Sequence, residues 1–105
     1  MASNPTDIKG SSIHLIAQMT AKPGQAEAIL KHLKTIQANA HSDKEPGCNR
    51  YDVVRFEDSF CVIENYSTND DVGIHMASDQ FQAFSKEVES LTVPGTFVLK
   101  FFGET

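Results

Sequence analysis

Two strand-forming runs, NRYDVVRF (49–56) and FCVIENY (60–66), follow one another with only EDS between them. Both are rich in β-branched and aromatic residues, and so short a link leaves one arrangement, an antiparallel hairpin. With FEDSF as a tight turn, Phe56 faces Ser59 and Cys61 faces Val54. Upstream, SIHLIAQMT (12–20) alternates: Ile13, Leu15, Ala17 and Met19 share one face, and His14, Ile16, Gln18 and Thr20 the other. That is a half-buried strand, which AKPG ends. Residues 25–40 then change to helical period, with Ala26, Ile29, Leu30, Leu33, Ile36 and Ala40 on one stripe and Lys31, Lys34 and Gln37 turned to water. Pro46 disfavours helix at Glu45, so SDKEPG closes that helix.

Downstream of the hairpin, STNDD offers N-caps for a short helix through Met76. Ser78 or Asp79 can cap a second helix, whose stripe is Phe81, Phe84, Val88 and Leu91. VPG breaks the chain, and TFVLKFF is a last strand. The order β-α-β-β-α-β, with its second helix split, predicts an α+β, ferredoxin-like antiparallel sheet with helices on one face. Residues 12–105 make one domain, and residues 1–11 read as a flexible, polar lead-in.

A net charge of −5 argues against a nucleic-acid partner, which needs a basic footprint. No apolar run approaches the ~20 residues that span a bilayer, so no membrane partner is expected. MASNPTDIKGSS lacks a basic region followed by an apolar run, so it does not read as a signal peptide, and a cytoplasmic location is expected. The hairpin register puts Cys48 and Cys61 roughly 20 Å apart, too far for a disulfide. No metal-ligand spacing, phosphate loop, GxSxG or HExxH is present.

The element order leaves one sheet face without helices. Some of His14, Ile16, Gln18, Val98, Lys100 and Phe102 fall there, and FVLKFF is apolar on both faces apart from Lys100. Strands covered on both sides read this way. The expectation is a homodimer in which two sheets meet back to back.

Candidate chemical residues gather at the hairpin and the split helix: Tyr51, Glu64, Asn65, Tyr66 and His75. Glu64 lies within an otherwise apolar strand, so it is paired or faces a polar cavity. Arg50 and Arg55 are its nearest cations along the hairpin. Tyr51 and Tyr66 suit core aromatics with a hydroxyl handle. His75 is either a satisfied core histidine or a pocket residue.

Taken in order, strand-KPG-helix, EPGCNRYDV, FCVIENYS and IHMASDQFQAF resemble the antibiotic biosynthesis monooxygenase family over about residues 12–102. That resemblance implies a dimeric α/β barrel of two ferredoxin-like subunits, with a pocket between each sheet and its own helices. It implies oxygenation of quinols or polycyclic aromatics with no metal, flavin or other cofactor. It assigns His75 and Glu64 to catalysis. Tyr66 stands where the family has tryptophan, as in the branch that processes autoinducer-2 phosphate. The positions that a haem-degrading branch would need hold Ala17, His75 and Ser85, which excludes that branch.

A cofactor-free oxygenase needs a base, an anchor and a dry pocket. His75 could accept a proton near neutral pH. Tyr51, Asn65 or Tyr66 could hold substrate oxygens, with Ile29, Leu33, Phe81 and Phe84 as apolar walls. Two other readings compete. One is an isomerase of a small hydroxyketone, for which a phosphorylated substrate would want Lys22, Lys31 or Lys34 as a cationic anchor. The other is a ligand-binding dimer without turnover.

Overall fold

The computed structural model describes Ile8 and residues 11–105. The expected lead-in over 1–11 lies almost wholly outside the described residues. Ile8 packs against a small core cluster around Ile13, Leu15, Tyr66, Val72 and Phe101. Four strands, β1 (Ile13–Thr20), β2 (Cys48–Phe56), β3 (Ser59–Tyr66) and β4 (Val98–Gly103), pair antiparallel in the order β2-β3-β1-β4. The described residues also form three helices, α1 (Ala26–Ala40), α2 (Asn69–Ala77) and α3 (Asp79–Leu91). This is the ferredoxin-like α+β fold. None of the helices is long and apolar enough to cross a membrane.

Local chemistry sets each boundary. The hairpin closes across Glu57 and Asp58, with Glu57 at φ 52°, and pairs Phe56 with Ser59 and Val54 with Cys61. Cys48 lies at the far end, opposite Tyr66, and both cysteines are free. Thr68 caps α2 by accepting the Asp71 backbone N–H. Ser78, in extended conformation, stops α2 and caps α3 through the Phe81 N–H. The kink between the two helices therefore has a capping residue as its cause.

The strands sort their side chains by alternation. Along β3, Phe60, Val62, Glu64 and Tyr66 are buried toward the helices, while Cys61, Ile63 and Asn65 face the other way. Ile29, Leu33 and Ile36 of α1 cover that inner face, joined by Phe84 and Leu91 of α3. Gln37 is half-buried rather than free in water, because its amide donates to the Tyr51 carbonyl at 2.9 Å. Among the described residues no helix covers the outer face. Val54, Phe56 and Phe102 are exposed there, Phe56 at 76%.

The EPG corner joins α1 to β2 and also meets the start of α2. The Ser67 N–H donates to the Gly47 carbonyl at 2.9 Å. A Cβ on Gly47 would lie 2.0 Å from the Asp71 Cγ, so only glycine lets that side chain pack over the corner. The corner and α2 are thereby locked together.

Candidate functional site

Where the corner, α2 and β3 converge, four polar side chains form a buried chain. His75, on the last turn of α2, is 1% exposed, and Glu45 and Glu64 are each 4% exposed. His75 Nδ1 lies 2.7 Å from Glu45 Oε1. Asn39, near the end of α1, donates from Nδ2 to the other Glu45 oxygen. On the opposite side of the ring, His75 Nε2 lies 3.6 Å from Glu64 Oε1. Tyr66 donates its hydroxyl to that same Glu64 oxygen at 2.6 Å. The rings of Tyr51, Tyr66 and Phe81 surround the imidazole at centroid distances of 5.5, 5.2 and 5.6 Å.

These contacts correct two expectations. Glu64 has no arginine partner: Arg50 pairs with Asp52, and Arg55 with Glu27. Arg50 stands opposite the outward Asn65, and Arg55 shares the inner face but stands opposite Phe60, two inward positions from Glu64. Asn65, one residue further along β3, points to the outer face. There its amide meets Ser12 Oγ at 3.1 Å and His14 Nδ1 at 3.4 Å, so it does not join Glu64 and Tyr66.

A small cavity lies between sheet and helices. Leu33, Tyr51, Glu64, Phe81, Phe84 and Phe97 are among its lining residues. The volume open to a water centre is about 20 Å³, enough for one water molecule and no more. His75 and Tyr66 do not line it; they stand behind Glu64. Glu45 was not singled out from the sequence. Its one signal was the EPG corner, and nothing local shows that this corner meets a histidine 30 residues on.

Burial dominates the electrostatics. It raises Glu64 to about 8, with the Tyr66 hydrogen bond opposing and Glu45 adding to the rise. Burial also lowers His75, against the pull of the Glu45 carboxyl. Tyr51 and Tyr66 are both raised, chiefly by burial and then by Glu64, so both phenols stay protonated at neutral pH. Near pH 7 Glu64 is therefore mostly a neutral acid and His75 a neutral imidazole. Nδ1 shares its hydrogen with Glu45 Oε1, and Nε2 is turned to Glu64. Removing His75 would leave a buried carboxyl without its hydrogen bond, a change that costs about 1–3 kcal/mol. Loss of function in His75→Ala would thus not isolate a chemical role, and Glu64 is the cleaner residue to vary.

The shifts give a signed stability test. Glu64 holds its proton in the folded state up to about pH 8, whereas the unfolded chain releases it near 4.5. Stability from this group is complete below 4.5 and falls until pH passes about 8. His75 acts in the opposite sense, but only below its ordinary 6.5. Between pH 6.5 and 8 the Glu64 effect stands alone, since the Cys48 thiol, pushed up to about 11 by burial, matters only above its ordinary 9.0. Urea unfolding should show stability declining across pH 6.5–8 by up to about 1.4 kcal/mol per pH unit. Glu64→Gln should flatten that slope; an unchanged slope in the variant would contradict the assignment.

Residues 12–87 match the sequence profile of a family described as antibiotic biosynthesis monooxygenase. No curated protein matches the chain. Among solved structures, protein PA3566 from Pseudomonas aeruginosa is similar at 26% identity and a TM-score of 0.80, covering 91% of this chain and 96% of its own. A candidate antibiotic biosynthesis monooxygenase from Caulobacter crescentus CB15 is 24% identical with a TM-score of 0.79, over 91% of this chain and 92% of its own. Rv0793 from Mycobacterium tuberculosis shares the fold at 18% identity and a TM-score of 0.81, over 90% and 96% of the two chains. The profile match extends from the first residues of β1 into α3 and takes in the corner, the hairpin and the split helix, so the chain belongs to the antibiotic biosynthesis monooxygenase family.

Proposed function

We propose that the protein is a cofactor-independent monooxygenase acting on a quinol or an activated polycyclic aromatic. The observation that carries this reading is Glu64, a buried carboxyl at the wall of an otherwise apolar cavity, with a pKa raised to about 8. A general base titrating near the operating pH suits proton abstraction from a weak carbon or phenol acid. Family membership supports a monooxygenase-like role in general.

For an anthrone-type substrate, a ring methylene and dioxygen give a ketone carbonyl and water. Ionised Glu64 takes one proton and leaves a delocalised carbanion. The carbanion gives an electron to oxygen, and the radical pair collapses to a C–O bond as a peroxide anion. The remaining C–H proton passes to the outer peroxide oxygen, its electron pair forms C=O, and the O–O bond breaks so that hydroxide leaves. The stored proton returns to hydroxide to make water. The substrate supplies all four electrons, so no outside reductant is needed. Tyr51, which also lines the cavity, is the substrate-oxygen anchor, and Leu33, Phe81 and Phe84 exclude water. A substrate of this size must displace a wall. We assign that movement to α3, which carries Phe81 and Phe84. A phosphorylated hydroxyketone would want a cation in the cavity, and the cavity lining includes no lysine or arginine.

We also propose that a second copy covers the outer face of the sheet. Asp52, Ile63, Ile16 and Lys100 form one cross-strand row on that face. A two-fold axis along the strands would set Asp52 against the Lys100 of a second copy, with the isoleucines between them.

Oxygen uptake with an anthrone or a dihydroxynaphthalene tests the chemistry. Activity should rise with pH and level off above about 8, and Glu64→Gln should lower it by about 10²–10⁴-fold. Full activity in that variant, or no uptake by the wild type, would refute the reading. Light scattering tests the assembly: twice the chain mass of 11.6 kDa is expected, and 11.6 kDa at micromolar concentration would refute the dimer.

A further inference from the structure

We infer that Phe97 is a movable partition, and that its swing joins the small cavity beside Glu64 to a surface cleft at the end of α3, making one site for a planar polycyclic aromatic. The reacting ring lies against Glu64 and the remaining rings in the cleft. The placing of the reacting ring rests on the oxygenase reading above; the joined site does not.

The inner cavity, at about 20 Å³, is too small for any ring, whereas ligand pockets run to about 300–1,000 Å³. A hollow of about 350 Å³ lies where the last turns of α3 meet the turn before β4. Val88, Glu89, Thr92, Pro94, Gly95 and Phe97 line it, so Phe97 is a wall of both spaces. Two other cavity residues, Met19 and Glu64, are also shared with surface hollows. Those hollows lie on the outer face, and the paired backbones of β1, β2 and β3 stand between. Turning a side chain does not open a hydrogen-bonded sheet. Phe97 instead precedes the first paired residue of β4, Val98 opposite Gln18, so its side chain alone parts the cavity from the cleft.

The backbone around Phe97 is pinned, while its ring is held lightly. Thr96 Oγ1 donates to the Val93 carbonyl at 2.7 Å and accepts the Thr20 N–H at 3.2 Å. The Val93 N–H donates to the Thr20 carbonyl at 2.9 Å. The turn is thus fastened to the end of β1. The half-buried ring of Phe97 meets Phe84 edge-on at a centroid distance of 6.0 Å, a modest aromatic contact. Phe84 rides on α3, so the helix movement assigned above releases the partition. A change of χ1 well then carries the ring out of the gap. The cleft suits uncharged rings. Val88, Pro94 and the bare Gly95 backbone offer apolar surface, and the Thr92 hydroxyl is spent on the Val88 carbonyl at 2.7 Å. Its lining includes no lysine or arginine, and Lys22 donates to the Glu89 carbonyl at 3.2 Å.

The probe is a dihydroxyanthraquinone, a planar tricycle with no methylene to oxidise, so its binding is read apart from turnover. NMR of the wild-type complex should show one bound ligand with nuclear Overhauser contacts to the methyls of both Leu33, in the cavity, and Val88, in the cleft. In stopped-flow mixing, Phe97→Ala should associate faster by about tenfold or more, because the partition no longer has to move first, and Phe97→Trp should associate more slowly. The wild-type contacts and the tryptophan variant decide the matter even where Phe97→Ala does not fold. No binding by the wild type, contacts to Leu33 without Val88, or association rates unchanged in the variants would overturn the inference. Contacts to both methyls in a wild type that takes up no oxygen with anthrone would instead refute the oxygenase reading and leave the joined site in place. Oxygen uptake with contacts that miss Val88 would do the reverse.

Discussion

The contact between Glu45 and His75 is the one on which the rest of the site depends. It ties a corner between α1 and β2 to the last turn of α2, across 30 residues of sequence. Both side chains are almost fully buried, where an unpaired charge or an unsatisfied polar group is strongly destabilising. The surroundings are built to keep the pair together. Gly47 lets Asp71 close over the corner, Asn39 holds the far oxygen of Glu45, and Ser78 ends α2 just past the histidine. The aromatic rings of Tyr51, Tyr66 and Phe81 fill the remaining space around the imidazole.

That arrangement divides the chemistry between two residues. His75 is sealed behind Glu64, and among the described residues only Glu64 and Tyr51 bring polar side chains to the cavity. A histidine in this position acts on whatever enters only through the carboxyl in front of it. The carboxyl in turn has its acidity set by burial and by the tyrosine and glutamate around it.

Much of the fold was legible because it rests on local signals. The EDS link fixed the hairpin register, and alternation along 12–20 and 60–66 identified the inward faces. The serine after Ala77 marked the break between α2 and α3. Alternation also held the answer for Asn65, which cannot share a face with Glu64 and Tyr66 when it stands between them on a strand. It was grouped with them by proximity in sequence, and the pleat separates them. The partner of Glu64 was harder to read, because Arg50 and Arg55 are near in sequence while Tyr66 and His75 are near in space. Glu45 was out of reach altogether. A glutamate before Pro-Gly looks like an ordinary exposed turn residue, and its burial is a consequence of how α2 docks on the corner.

The central claim is that Glu64 sits beside the cavity as a neutral acid at physiological pH. Infrared spectroscopy reads this directly, because a protonated carboxyl has a C=O stretch that ionised carboxylates lack. At pH 7 the wild-type protein should show one such band, which should fade as pH rises through about 8 and be missing from Glu64→Gln. No protonated carboxyl at pH 7, or a band that persists in the glutamine variant, would contradict the account.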